Sequence, residues 1–428
     1  MNCYPTIQLI IIVLVISSSL TGQQSFEITH LAPMPIRTSN NAVVEGFIDD
    51  RPYVYSFGGI DQTLRSSGIH NRAFRLDVEA NVWEEIDPLP DTRGKIASSA
   101  SRVGDTLYII GGYYVNLDGS EESSAFVHRY DIINNTYLPN GPDIPIPIDD
   151  QVQVVNGPLI YVVTGWNDNR NVRDIQVYDT RTDSWSAATS LPNNQYPAFG
   201  ASGTLIDNTI YYYGGANGNF FQPRNELRIG VISETNPLEI DWSLAPLANR
   251  STIYRNAATE VEGRPVWIGG ATNSYNFDGF AYDGSGGVQP YGQVNFSNPL
   301  TNEWIEFAVE VPMDLRSVAE ISSFEKIIAG GMKAGQSVTN ETLRVDFSGV
   351  SDTENLDTES NYFTLYPNPT EAEVTMTISQ EVDLQLPVEF RNINGQLVKR
   401  ITAKGNRIKI NLSELQSGMY IILSLIHI

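Results

Sequence analysis

Arginines recur at one kind of place in this chain, after a proline turn and ahead of a short apolar strand. Arg37, Arg93, Arg250, Arg255 and Arg316 stand there, and Asp149/Asp150 and Tyr196 occupy the corresponding stretch in two further copies. Guanidinium groups gathered at one point bind a carboxylate or sulfate bidentately. The competing use is to pair with neighbouring carboxylates or carbonyls and staple the structure. A second set is aromatic and amide-rich: Tyr113-Tyr114, Trp166-Asn167-Asp168, Asn217-Gly218-Asn219-Phe220-Phe221 and Asn273-Ser274-Tyr275. Of these, Tyr114, Trp166, Phe220 and Tyr275 are candidates for stacking on sugar rings or for protein contact. Packing within their own loops is the alternative.

Other chemistry finds little support. The four histidines, His30, His70, His128 and His427, have no metal-ligand spacing, and the only cysteine is Cys3. No zinc or copper site is therefore expected. No nucleophile elbow, phosphate loop or His-Glu-x-x-His pattern occurs. Asn167-Asp168-Asn169 reads as a solvated turn rather than a calcium loop. No catalytic residue and no cofactor is assigned.

These groups need a scaffold, and the composition points to strands. The chain has 428 residues, with 34 Gly, 21 Tyr and only 18% charged residues, which favours short strands and turns. A diglycine follows an apolar run at Gly58-Gly59, Gly111-Gly112, Gly214-Gly215, Gly269-Gly270 and Gly330-Gly331, and Thr164-Gly165 fills the one long gap. The spacings are 53, 53, 50, 55 and 61 residues, the signature of a repeat array. Each unit has a small or apolar strand, the glycine run, an alternating strand often ending in Asp, and a strand with an aromatic: Trp83, Tyr137, Trp185, Trp242 or Trp304. Four short alternating strands make an antiparallel sheet that needs neighbours to cover its faces. Gly permits close backbone approach where sheets converge, and Trp fills the space between them.

The sixth unit lacks an aromatic fourth strand, and the first is preceded by an orphan strand, Phe26-Glu27-Ile28. Phe26 lies 32 residues before Gly58, much as Trp83 lies 28 before Gly111 and Trp185 lies 29 before Gly214. The N-terminal strand is therefore expected to complete the last sheet and close a ring of six. The fold class predicted is all-β, a six-bladed propeller closed by that strand, followed by a small C-terminal β-sandwich.

At residues 26–348 the chain resembles the kelch-repeat family, on its repeated diglycine, the aromatic of the third strand and the spaced Trp. The resemblance implies a β-propeller. Copper oxidases related to kelch propellers need histidine and a crosslinking Cys, which the chain lacks. The kelch sialic-acid mutarotases provide an enzymatic alternative, in which the arginines would serve an acidic sugar. A binding module for glycans or proteins is the preferred expectation, and a structural surface protein the third.

The ends carry their own information. Ile7 to Ile16 is a short apolar run before a small, polar stretch, so 1–22 is read as an export signal too short to span a bilayer. The mature chain is then expected at 23–348 for the propeller, 349–361 for an acidic linker and 362–428 for the C-terminal domain. No transmembrane segment is expected in the mature chain. Leu365-Tyr366-Pro367-Asn368-Pro369, Asn394-Gly395-Gln396 and Gly418-Met419-Tyr420 resemble the type A C-terminal sorting domain of the type IX secretion system in Bacteroidetes. That implies the secretion machinery as a partner and a secreted or outer-surface location. The chain stops at Leu425-Ile426-His427-Ile428, without the further strand and basic tail usual in that family. The net charge of −23 divides into −4 on the linker, zero on the C-terminal segment and −19 on the array. Such a surface argues against nucleic acid as a partner.

Overall fold

The computed structural model describes residues 26–245, 250–298 and 303–350, and beyond them 363–366, 373–378, 386–392, 397–403, 407–415 and 420–424. The expected signal at 1–22 and residues 351–361 of the expected linker lie outside the described residues. Phe26 to Val350 fall in one compact unit, and the C-terminal strands in another.

The first unit is a ring of six antiparallel sheets. Blade 1 is made of Ala42–Ile48, Arg51–Phe57, Ala73–Asp77 and Val82–Ile86, paired in that order. Blade 2 follows with Ile96–Val103, Thr106–Val115, Val127–Asp131 and Thr136–Gly141, and blade 3 with Asp149–Asn156, Leu159–Asn167, Ile175–Asp179 and Ser184–Ala188. Blade 4 is Phe199–Ile206, Thr209–Ala216, Leu227–Ile232 and Ile240–Leu244. Blade 5 is Ala257–Val261, Arg264–Ile268, Gln293–Ser297 and Trp304–Ala308. Blade 6 takes Ala319–Glu320, Glu325–Ala329 and Thr342–Asp346, and its outer strand is Glu27–His30, in register Glu27 with Asp346 and His30 with Leu343. The N-terminal strand thus closes the ring, as its spacing predicts.

Apolar layers lie between neighbouring sheets. Blades 3 and 4 bury Tyr161, Val163, Val177, Ile210 and Tyr212, and blades 5 and 6 bury Val266, Phe296, Leu343, Val345 and Phe347, with Phe26 and Ile28 against them. Each such fully buried side chain contributes about 1.5–3 kcal/mol. The outer-strand tryptophans bridge backwards to the preceding blade. Trp83 Nε1 donates to Ala32 O (3.0 Å), Trp185 Nε1 to Pro142 O (2.9 Å) and Trp242 Nε1 to Thr189 O (3.4 Å). Trp304 instead stacks on Trp267 and Tyr213.

The diglycines act at the seam between blades. The first glycine has a left-handed φ, such as +75° at Gly214, and a Cβ there would fall on a carbonyl oxygen of the next blade's entry loop, Ile253 O. The second glycine donates its N–H to that same oxygen: Gly59 to Lys95 O (3.0 Å), Gly112 to Ile148 O (2.9 Å), Gly215 to Ile253 O (2.7 Å) and Gly331 to Thr38 O (2.9 Å). Blade 3 departs from the pattern and makes the seam differently. Thr164 Oγ1 accepts from Ala198 N (3.0 Å) and donates to Ala198 O (2.9 Å), so a buried hydroxyl replaces the missing backbone contact. Thr164→Val keeps the shape and deletes the hydroxyl, leaving that peptide unsatisfied in the seam. We expect a loss of about 1–3 kcal/mol in a denaturant titration; an unchanged midpoint would show that the hydroxyl is not the seam's bond.

The C-terminal unit contains two three-stranded antiparallel sheets, Phe363–Tyr366, Glu373–Ile378 and Arg407–Asn411 in one, and Leu397–Ala403, Leu386–Asn392 and Tyr420–Ser424 in the other. Val374, Met376, Phe390, Ile410 and Leu412 are buried.

Candidate functional site

The innermost strands of all six blades face a central cavity of about 210 Å³, with Val44, Ser99, Gln151, Ser202, Ala258 and Glu320 each contributed by a different blade. At the entry to it, every blade places one residue in a left-handed conformation: Asn40, Ala97, Asp150, Gly200, Arg255 and Asp314, with φ between +48° and +67°. Backbone bonds tie parts of this ring together. Asn40 N donates to Asp314 O (3.2 Å), Ala97 N to Asn40 O (3.2 Å), Arg255 N to Gly200 O (2.7 Å) and Leu315 N to Arg255 O (2.9 Å).

Three ring side chains form an ion cluster. Arg255, 1% exposed, contacts Asp150 Oδ2 at 2.7 Å and Asp314 Oδ1 at 3.2 Å. Arg316 donates to Asp150 Oδ1 at 2.6 Å and to Gln151 O at 3.1 Å, and Ser39 Oγ donates to Asp314 Oδ2 at 2.6 Å. Burial pushes the Asp150 carboxyl up, but Arg255 and Arg316 outweigh it and hold Asp150 below the usual carboxylate range. Its neighbour Asp149 goes the other way. Burial, then the charge of Asp150, raises its carboxyl well above the ordinary value, and Ser123 Oγ donates to its Oδ2 at 2.6 Å. Two adjacent carboxyls are thereby driven apart in acidity by their surroundings.

On the same face, a cavity of about 90 Å³ lies against this cluster. Its walls include Tyr113, Trp166, Phe221 and Tyr282 together with Glu121, Asp149, Asp150 and Arg255. Beside it, sharing Phe221 and Tyr282, opens a cleft of about 550 Å³ bordered by Phe220, Gln222, Asn273, Ser274 and Asp283. Phe221 sits within an aromatic cluster, its ring 4.6 Å from Tyr282, 5.4 Å from Trp166 and 5.5 Å from Phe199. Phe220 points the other way and is 89% exposed. Both residues are left-handed, φ +57° and +49°, in a loop held by Asn217 N to Gln222 O (3.0 Å) and Gln222 N to Asn217 Oδ1 (3.2 Å). Two successive bulky residues in that conformation cost energy that a Gly turn would not.

The structure separates the residues picked out in the sequence. Arg255 and Arg316 converge; Arg37 and Arg93 are exposed elsewhere, Arg93 pairing with Glu122 (2.8 Å) over the ring of Tyr114. Arg250 is buried with its guanidinium 5.3 Å from the Trp304 ring. Of the aromatics, Phe220 and Trp166 border the two cavities. Tyr114 and Tyr275 are not exposed platforms. Tyr114 donates to Asp91 Oδ2 (2.5 Å), because it points to the opposite face of its strand from Tyr113. Tyr275 is fully buried against Tyr254, with the Arg255 guanidinium 5.5 Å away. Tyr113 and Phe221 stand in the aromatic loops marked in the sequence but beside the residues chosen there, and Tyr282, Glu121 and the Asp314 of the ion cluster are not singled out by sequence reasoning. One signal does locate the ring: in blades 2 to 5 its residue stands fourteen positions ahead of the first residue of the glycine pair or its Thr164 copy. Among the described residues no cluster of histidine, cysteine and carboxylate side chains is arranged to hold a metal, and no helix is long and apolar enough to cross a membrane.

Comparison with known proteins agrees with this architecture. Residues 42–230 match the model described as the KLHDC2/KLHL20/DRC7 Kelch-repeats domain, and residues 364–424 match the Secretion system C-terminal sorting domain. The chain is similar to Kelch-like protein 36 of Bos taurus, 26% identical over 140 residues, which is 33% of this chain and 22% of that protein. It is similar also to Kelch-like protein 15 of Gallus gallus, 30% identical over 113 residues, 26% of this chain and 22% of that protein. An F-box/kelch-repeat protein of Arabidopsis thaliana is 26% identical over 159 residues, 34% of each chain. The chain thus spans about a fifth to a third of the length of these curated relatives. Among solved structures, that titled "Structure of YjhT" shares the fold, with a TM-score of 0.59 at 15% identity over 73% of this chain and 95% of that one. With six antiparallel blades, a diglycine seam and a matched C-terminal segment, the chain carries kelch repeats in a six-bladed β-propeller, followed by a type IX C-terminal sorting domain that indicates export.

Proposed function

We propose that this protein is a non-catalytic glycan-binding propeller acting outside the cell, its ligand lying in the cleft beside Phe220. The observation that carries this reading is the display of Phe220, 89% exposed on two successive left-handed aromatic residues. Strain of that kind persists only where the surrounding structure enforces it, and it is concentrated at functional sites. The cleft of about 550 Å³ is of ligand size, and its wall combines aromatic faces with Gln222, Asn273, Ser274 and Asp283. Aromatic faces stack on the C–H face of a sugar ring, and amides and hydroxyls bond its hydroxyls. The arginine pair speaks against an acidic sugar at the axis. Arg255 is already engaged by Asp150 and Asp314, and Arg316 by Asp150 and the Gln151 carbonyl, and a ligand carboxylate would meet those carboxylates too.

The test is a glycan array probed with the full chain and with Phe220→Gly. We expect glycan retention by the parent and a loss of about 30-fold or more in affinity in the variant, the scale of an interface hot spot. Stability should stay level or rise by about 1 kcal/mol, because glycine relieves the left-handed strain. Undiminished binding by Phe220→Gly would remove Phe220 from the site, and silence of the parent across the array would refute the glycan reading.

A further inference from the structure

The 90 Å³ cavity beside the cleft has an unusual balance of walls. Tyr113, Trp166, Phe221 and Tyr282 turn it into an aromatic box, and three carboxyls, Glu121, Asp149 and Asp150, line it against one guanidinium, Arg255. That guanidinium is already engaged by Asp150 and Asp314. Asp149, 4% exposed, has no cation paired with it, and its one side-chain hydrogen bond comes from Ser123 Oγ. Glu121 is exposed at the rim and makes no ion pair among the described residues. An anionic group entering here would meet carboxyls and find no free cation, since Arg255 is taken. A cationic group would meet ring faces that attract it and carboxyls lacking a partner. The net charge of −23 draws the same sign of ligand to the surface.

We infer that this cavity is a subsite for a primary ammonium group, and that the ligand is an amino sugar whose ring lies in the adjoining cleft. The shared walls, Phe221 and Tyr282, fix that geometry. A 2-amino group stands directly on the sugar ring, so a ring stacked in the cleft delivers its nitrogen to the box. N-acetylation removes the charge and adds bulk to the group that must enter the smaller cavity. The inference rests on the glycan reading above and names the sugar class.

The experiment is calorimetric titration of the full chain, at neutral pH and fixed ionic strength, with a glucosamine tetramer, its fully N-acetylated counterpart and tetralysine. We expect the glucosamine tetramer to bind about tenfold or more tightly than the acetylated one. Glu121→Gln and Asp149→Asn should each weaken the glucosamine tetramer by about tenfold and leave the acetylated one unchanged. Glu121 is exposed, so Glu121→Gln tests the idea without threatening the fold. Equal binding of both sugars, lost together in Phe220→Gly, would overturn the ammonium subsite while leaving the glycan reading intact. Failure of both sugars to bind while the array retains another glycan would overturn the amino-sugar assignment alone, and silence of the array as well would overturn both. Tetralysine binding more tightly than the glucosamine tetramer would assign the box to a protein side chain and overturn the amino-sugar assignment.

Discussion

Arg255→Met should cost about 3–5 kcal/mol of unfolding free energy, the range for removing one partner from a buried ion cluster. The side chain that replaces it is of similar length and fills the space. The loss comes from Asp150 and Asp314, buried at 2% and 1%, which are left with fewer donors. Asp150 retains Arg316, and Asp314 retains Ser39 Oγ. The deficit must also depend on pH in a definite direction. Asp150 has a carboxyl depressed in the folded state, so its stabilisation is present above its unfolded value of about 4 and is lost as pH falls through the folded value. The gap between parent and variant should therefore be widest near neutrality and close in acid. Chemical denaturation of both proteins across that range measures it. A gap that widens on acidification, or an Arg255→Met protein as stable as the parent at neutral pH, would show that the cluster contributes no net stability.

The second large effect is expected at the seam between blades 4 and 5. Gly214→Ala forces a Cβ onto the Ile253 carbonyl oxygen at a φ of +75°. Three losses combine there. A left-handed alanine costs about 1–2 kcal/mol. The Gly215 N–H to Ile253 O bond, 2.7 Å, is displaced, at about 1 kcal/mol. The entry loop carrying Arg255 must also move. A total of about 3 kcal/mol or more follows. Gly157 is the matched control: its φ is +57°, but a Cβ there meets nothing within 4 Å. Gly157→Ala should cost only the conformational share, about 1 kcal/mol. Thermal unfolding of the pair separates the contributions, and equal shifts would mean that blade contact at the diglycine is irrelevant.

The scaffold is legible in the sequence because its demands repeat. Six seams each need a residue that tolerates the next blade's carbonyl, so the glycines fall into a period, and even Thr164 can be read as the copy that breaks it. The closing strand is legible through the same arithmetic, since Phe26 stands where the tryptophans stand in other units. The site is less legible because it does not repeat. The ring residues share a backbone conformation but not a side-chain type: Asn40, Ala97, Asp150, Gly200, Arg255 and Asp314 have only their φ in common. Counting arginines after the proline turn mixes different offsets, and Arg255 occupies the ring position itself whereas Arg37 lies three residues before Asn40. Choosing between neighbours is harder still. Tyr113 lines the cavity and Tyr114 turns away because successive strand residues face opposite sides. Phe220 and Phe221 divide their work in the same manner, one outward and one inward, through a turn whose conformation no Gly announces.

The strand that completes blade 6 has a consequence for the order of assembly. Glu27–His30 is among the first parts of the propeller to be synthesised, and its partner Thr342–Asp346 is the last. Contacts so distant in sequence are slow to form, because the chain entropy between them must be spent first. Until that pairing is made, the circle is unlatched and blade 6 has a free edge. The last stretch of propeller to emerge stands just ahead of the segment that marks the chain for export. Fastening of the latch therefore coincides with the appearance of the address, and a chain cut short before Thr342 could neither close its circle nor carry the label to leave the cell.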